Sequence, residues 1–159
     1  MRTIITQKIT EFLKQGLTPV ELAWTISLGV TIGVFPVLGM TTILCALAAV
    51  TFRLNLPAIQ SINWAMSPLQ LLLLIPFTHA GAWIFGGSGI SVNLAELKLL
   101  MESDLLGTME RYLLAVLRGI AAWTLIALPT AILLHWVTLP LISRVARTFS
   151  TLRTEEGLS

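Results

Sequence analysis

Charge is scarce in this chain: 11% of its 159 residues are Asp, Glu, Lys or Arg, where soluble domains carry about 25%. With 55% hydrophobic residues and a mean hydropathy of +0.86, that scarcity excludes an ordinary water-soluble enzyme. Cysteine is nearly absent too. The single Cys45 excludes an intrachain disulfide and a cysteine metal cluster. The chain contains no Gly-x-x-x-x-Gly-Lys-Ser/Thr loop, no His-Glu-x-x-His, no Cys-x-x-Cys and no Gly-x-Ser-x-Gly. Residues 81–88 resemble a phosphate loop but lack its lysine. Its two histidines, His79 and His135, lie far apart with no Asp, Glu or Cys at ligand spacing, so packed or interfacial imidazoles are expected in place of metal ligands. The acids between Glu96 and Glu110 are read as a solvated helix face, not as an acid/base pair. No catalytic constellation, no metal and no cofactor is expected.

What the sequence has is long charge-free runs. Residues 22–52 form one of 31 residues, about 46 Å as straight helix, which exceeds one bilayer core of about 30 Å and falls short of two crossings. Pro36 and Gly39 break it near its middle, so it is expected to be a hairpin over 18–52, re-entrant, with two short arms and its tip at 33–39. Unpaired backbone at such a tip is tolerated at membrane depth only inside protein or beside water.

A second run, 54–95, holds Pro57, Pro68 and Pro76 and closes on Gly86-Gly-Ser-Gly89. Ser67 as N-cap and Pro68 as first helical residue predict a break there, hence a second hairpin over 55–86 and an internal repeat. Residues 91–110 read as an interfacial amphipathic helix, and 112–143 as a transmembrane helix whose charge-free core is 119–143. Residues 1–15 have the pattern of a surface-lying amphipathic helix, and 146–159 of a polar tail. The expected architecture is all-α: a polytopic helical membrane protein, one membrane domain over 16–145. Basic residues flanking the spans (Arg2, Lys8, Lys14, Arg53, Arg144, Arg147, Arg153) place both termini in the cytoplasm of a bacterial inner membrane, with Arg111 and Arg118 against that orientation.

Some residues invite a specific reading. Thr18-Pro19-Val-Glu21 has the spacing of a capping box. Gly29 and Gly33, four apart, suit close helix packing. Trp24, Trp64, Trp83, Trp123 and Trp136 suit membrane interfaces. Arg53 is the one charge between Glu21 and Glu96: it either snorkels to the headgroups or grips a phosphate bidentately. Asn55 and Asn63, with Ser67, are candidates for a polar path, although an Asn beside a proline turn more readily bonds local backbone.

The segments Gly16-Leu-Thr-Pro-Val-Glu-Leu-Ala, Gly29-Val-Thr-Ile-Gly-Val-Phe-Pro-Val-Leu-Gly-Met-Thr-Thr, Phe52-Arg-Leu-Asn-Leu-Pro and Ser67-Pro68 together resemble the bacterial domain of unknown function 2062. The family pattern falls on Gly16, Pro19, Gly29, Gly33, Pro36, Gly39, Arg53, Asn55, Pro68 and Gly81. Where the family usually has Asn-Pro this chain has Ser67-Pro68, so any role of that Asn side chain is replaced or absent. The resemblance implies a small bacterial membrane protein without an established biochemical activity, some of whose relatives are joined to glycosyltransferase domains; no such domain is visible here. Two functions are expected to compete. One is binding or translocating a lipid-phosphate or other amphipathic substrate through a cavity between the hairpins, with membrane lipids as partners. The other is a non-catalytic scaffold, with a second copy or another membrane protein as partner. Nucleic acid is not an expected partner.

Overall fold

The computed structural model describes residues 17–87, 89–90 and 94–156, and these are helical apart from their connections. In chain order the helices are α1 (Pro19–Gly33), α2 (Met40–Phe52), α3 (Leu56–Phe85), α4 (Leu94–Ser103) and α5 (Leu105–Glu156). The N-terminal helix expected over 1–15 lies outside the described residues, as do Gly16 and residues 91–93 of the amphipathic segment.

The start of α1 is set by local chemistry. Thr18 is the N-cap: its Oγ1 accepts from the Glu21 amide at 3.2 Å, and its own amide donates to Glu21 Oε2 at 2.8 Å. Pro19 follows at the first helical position, where its missing N–H costs nothing. α1 then shows no apolar stripe. Leu22, Ala23, Thr25, Ser27, Gly29, Thr31 and Gly33 are all buried and spread around its whole circumference, the pattern of a helix enclosed on every side. Small side chains allow that enclosure, and two of the hydroxyls bond back to the turn below, Thr25 to the Glu21 carbonyl at 2.7 Å and Ser27 to that of Ala23 at 2.8 Å, while Thr31 Oγ1 has no partner among the described residues.

α2, α3 and α5 surround this short helix. α1 and α3 run parallel: a Cβ on Gly29 would stand 2.9 Å from Ile62 Cγ2, and one on Gly33 2.8 Å from Met66 Cβ. The expectation that these glycines permit close packing is met, and α3 is the helix they admit. α5 runs antiparallel to α1, with Ile142 packed on Leu22 and Ala23 at the base, His135 stacked on Trp24 with ring centroids 4.1 Å apart, and Trp123 near the top donating to the Thr31 carbonyl at 3.3 Å. α2 closes the remaining side through Cys45, Ala48 and Ala49, which pack with Leu54 and Ile59 against Trp24, Leu28 and Ile32.

Several expectations are corrected. The second hairpin over 55–86 does not form, since α3 is one helix of 30 residues with Pro68 and Pro76 inside it. Proline removes one backbone hydrogen bond and crowds the carbonyl four residues back, a loss that a membrane helix tolerates where its neighbours hold it. Around Pro68 the packing of α1 on Ile62 and Met66 and the bonds of Gln70 to the hairpin tip keep α3 continuous. Ser67 is accordingly mid-helix and exposed, not an N-cap, and the internal repeat disappears with the break. The amphipathic segment 91–110 is cut at Asp104, whose Oδ1 accepts from the Gly107 amide at 3.0 Å and so caps a new helix. That helix, α5, overruns the expected span 112–143 at both ends, and the expected tail is helical through Glu156. Trp24 and Trp123 are packing residues inside the bundle; Trp64, Trp83 and Trp136 face outward. α3 and residues Leu105–Arg147 of α5 are each long and apolar enough to cross a bilayer.

Candidate functional site

The first charge-free run does fold as a hairpin. Between α1 and α2, residues 34–39 turn through a wholly buried Pro36 and a left-handed Gly39 at φ 82°. A turn of this kind leaves carbonyls without helical partners, and two side chains from neighbouring helices meet the need. Gln70 of α3, 5% exposed, donates from Nε2 to the Phe35 carbonyl at 2.8 Å and the Val37 carbonyl at 3.3 Å. Trp123 of α5 bonds the last turn of α1 and sets its ring edge-on against Phe35, centroids 4.9 Å apart. Gln70 is the fifteenth of the thirty residues in α3, so the tip ends level with the middle of that helix. Sequence reasoning passed over Gln70. Its signal was a lone amide in a leucine-rich run, the residue type that can be buried only with partners.

Polar groups continue down the α3 face below Gln70. Asn63, 2% exposed, donates to Gln60 Oε1 at 3.2 Å, and Gln60 donates to the Thr42 carbonyl of α2 at 2.9 Å. Gln60 and Gln70 therefore bond α3 to the hairpin, at the first turn of α2 and at the tip, and Asn63 holds Gln60 in place. Asn63 is sealed in this seam, with its amide on Gln60 rather than on the backbone. Ser67 points outward. Asn55 behaves as the local-backbone reading expects: it is the N-cap of α3 and its Oδ1 accepts from the Ala58 amide at 2.9 Å. The four candidate residues are therefore not gathered at one point. Arg53 and Asn55 share the α2–α3 junction, Asn63 is part of the seam, and Ser67 belongs to neither.

Arg53 has the most telling backbone. It ends α2 in the left-handed conformation at φ 53°, the one described non-glycine residue at positive φ. Its amide and that of Leu54 both donate to the Ala49 carbonyl, the latter at 2.8 Å, which is the helix-terminating arrangement normally built on glycine. An L side chain there costs about 1–2 kcal/mol. The arginine is exposed and has no carboxylate partner among the described residues. A charged side chain held at a position that glycine would occupy without strain points to a use for the side chain.

Of the other motif residues, Pro19 starts α1, Gly29 and Gly33 admit α3, Pro68 is interior to α3, and Gly81 faces α5 so closely that a Cβ would collide with the Arg118 backbone. No curated protein and no solved structure matches the chain. A family profile does, over residues 2–149, and its description reads "Uncharacterized protein conserved in bacteria". Matched along nearly its whole length, the chain belongs to that family, DUF2062.

Proposed function

We propose that this chain is a non-enzymatic protein of the bacterial inner membrane that binds, and in the fuller reading moves, a lipid phosphate or similar amphipathic anion, with Arg53 meeting the phosphate. The observation that carries the reading is Arg53 itself: an exposed guanidinium with no carboxylate partner among the described residues, set at a strained left-handed turn where a half-length hairpin joins a full-length helix. A guanidinium is the side chain best matched to phosphate, through two parallel hydrogen bonds.

In this reading α3 and α5 cross the bilayer, while the α1–α2 hairpin re-enters from the face that carries Arg53, Arg144 and Arg147, the cytoplasmic one. Lengths support it: α1 has 15 residues, about 22 Å of helix against an apolar core of about 30 Å. Irregular backbone at mid-depth needs protein partners, and Gln70 and Trp123 supply them. Since α3 is continuous, the substrate path runs beside one hairpin and not between two.

Arg53→Gly separates fold from function. Relieving the left-handed turn should stabilise the protein by up to about 1 kcal/mol, while loss of a charge-assisted contact should weaken phosphatidic acid binding about tenfold or more. Native mass spectrometry from maltoside micelles, counting bound phosphatidic acid, reads the second quantity and thermal unfolding the first. Equal lipid retention by the variant and the parent would sink the role of Arg53.

Re-entry makes its own prediction. In a Cys45→Ala background, cysteine at Leu38 should label poorly, or from the same side as cysteine at Leu54. Free labelling of position 38 from the opposite side alone would show a full crossing.

The scaffold reading is favoured by a different observation. Above the hairpin tip α3 and α5 stand beside each other without α1 or α2, and their outward Leu71, Leu72, Trp83 and Leu117 are exposed. A second copy or another membrane protein could cover that half of the domain.

A further inference from the structure

The end of the domain remote from Arg53 gathers a second set of polar groups, which stands without the Arg53 reading. α3 and α5 cross where Gly81 faces the backbone of Arg118 and Gly119 faces Thr78, whose Cγ2 would lie 3.3 Å from an added Cβ. The root of the Arg118 side chain is thus held by backbone packing. Its guanidinium reaches along α3 to the bare α-carbon of Gly87: a side chain there would collide with Nη1 and stand 2.7 Å from Cζ. His79 treats Gly89 likewise, with Nδ1 2.7 Å from where a Cβ would be. Thr78, wholly buried, ties the returning chain to α3 by accepting from the Ile90 amide at 3.4 Å while donating to the Ile75 carbonyl at 2.9 Å.

Three features converge here on one chemistry. Gly86 and Gly87 take φ of 74° and 108°, conformations open to glycine, and the missing side chain at Gly87 lets the Arg118 guanidinium come against the backbone. Glycine backbone that a ligand can approach closely, next to a cation, suits a tetrahedral oxyanion. Arg118 is half-buried and has no carboxylate partner among the described residues, although a partly desolvated guanidinium is normally paired. His79 adds an imidazole whose Nδ1 lies against Gly89. The phosphate-loop resemblance of residues 81–88 failed in the sequence for want of a lysine; in the fold a cation arrives from α5 instead. We infer that Arg118, His79 and the backbone of Gly86, Gly87 and Gly89 form an anion site that takes a phosphate group, carried by a lipid headgroup or free in solution.

The test is residue-resolved protection of arginine in the full chain in maltoside micelles. Phenylglyoxal modification of Arg118 is followed by peptide mass spectrometry alone, with inorganic phosphate, with dioctanoyl phosphatidic acid, and with dioctanoylglycerol as a phosphate-free control. Modification at Arg118 should slow about fivefold when a binding probe stands near four times its Kd. Protection by phosphatidic acid alone assigns a lipid headgroup, and equal protection by inorganic phosphate assigns free phosphate. No protection by either, or equal slowing by dioctanoylglycerol, would overturn the site. Arg53 is read in the same digest, so failure at one arginine is distinguishable from failure at the other. His79→Asn, an exposed substitution, should reduce protection at Arg118 and leave Arg53 unaffected; unchanged protection would reduce the site to a lone arginine and overturn the shared one. Native mass spectrometry of Arg118→Gln is independent of dicarbonyl reactivity: loss of one bound phosphatidic acid, or of one phosphate adduct, is expected, and full retention of both contradicts the inference.

Discussion

Gly81→Ala should destabilise the protein by about 3 kcal/mol, the upper part of the usual range for forcing extra volume into a packed interior. The reason is what the new methyl would meet. At Gly81 the nearest atoms are the carbonyl carbon and oxygen of Arg118 and the Gly119 amide, 2.8 Å away in the last case, and backbone inside a helix cannot turn aside as a side-chain end can. Relief requires moving α5 away from α3, which also opens the Thr78–Gly119 contact. Gly119→Ala is the matched control. Its Cβ would meet Thr78 Cγ2 at 3.3 Å, a contact that yields with a few tenths of an ångström, so a cost of roughly 1 kcal/mol or less is expected. Thermal unfolding of both variants in one detergent gives the comparison; equal losses would mean that the α3–α5 crossing is not the tight point described.

Gln70→Leu should cost about 2 kcal/mol despite the gain in apolar volume. Leucine fills nearly the same space but donates nothing, and the Phe35 and Val37 carbonyls lose the donor that reaches them from α3. Removing one partner of a buried pair costs about 1–3 kcal/mol because the group left behind is desolvated without compensation. The loss should be local before it is global. Amides at 37–39 should exchange hydrogen faster than in the parent while those of α3 near Ala58 do not. If both stability and tip exchange match the parent, the Gln70 bonds do not hold the hairpin.

The two predictions share an origin that no local pattern displays. Gly81 looks like any glycine in an apolar run, and Gln70 like a stray amide among leucines; their importance is fixed by partners at Arg118 and Phe35, far along the chain. Arg53 is intermediate. Its isolation between Glu21 and Glu96 is visible in the row of letters, but its left-handed backbone depends on how α2 stops and α3 begins.

Local chemistry was legible where it was self-contained. The Thr18–Glu21 capping box, Asn55 bonding local backbone, the Pro36 and Gly39 turn, and the last segment able to cross a bilayer all follow from spacing and residue type, since each is decided within a few neighbours or by hydrophobic length. By itself, then, the sequence determined an all-helical apolar chain, a hairpin in its first third and a lone arginine after it. The tertiary structure alone decided that Pro68 does not break α3, that α1 is enclosed rather than peripheral, and that Gln70 and Trp123 bind the hairpin tip. A proline's penalty, a glycine's purpose and an amide's cost are all set by what packs against them. Those contacts join residues as distant as Thr31 and Trp123, and periodicity along the chain carries no record of them.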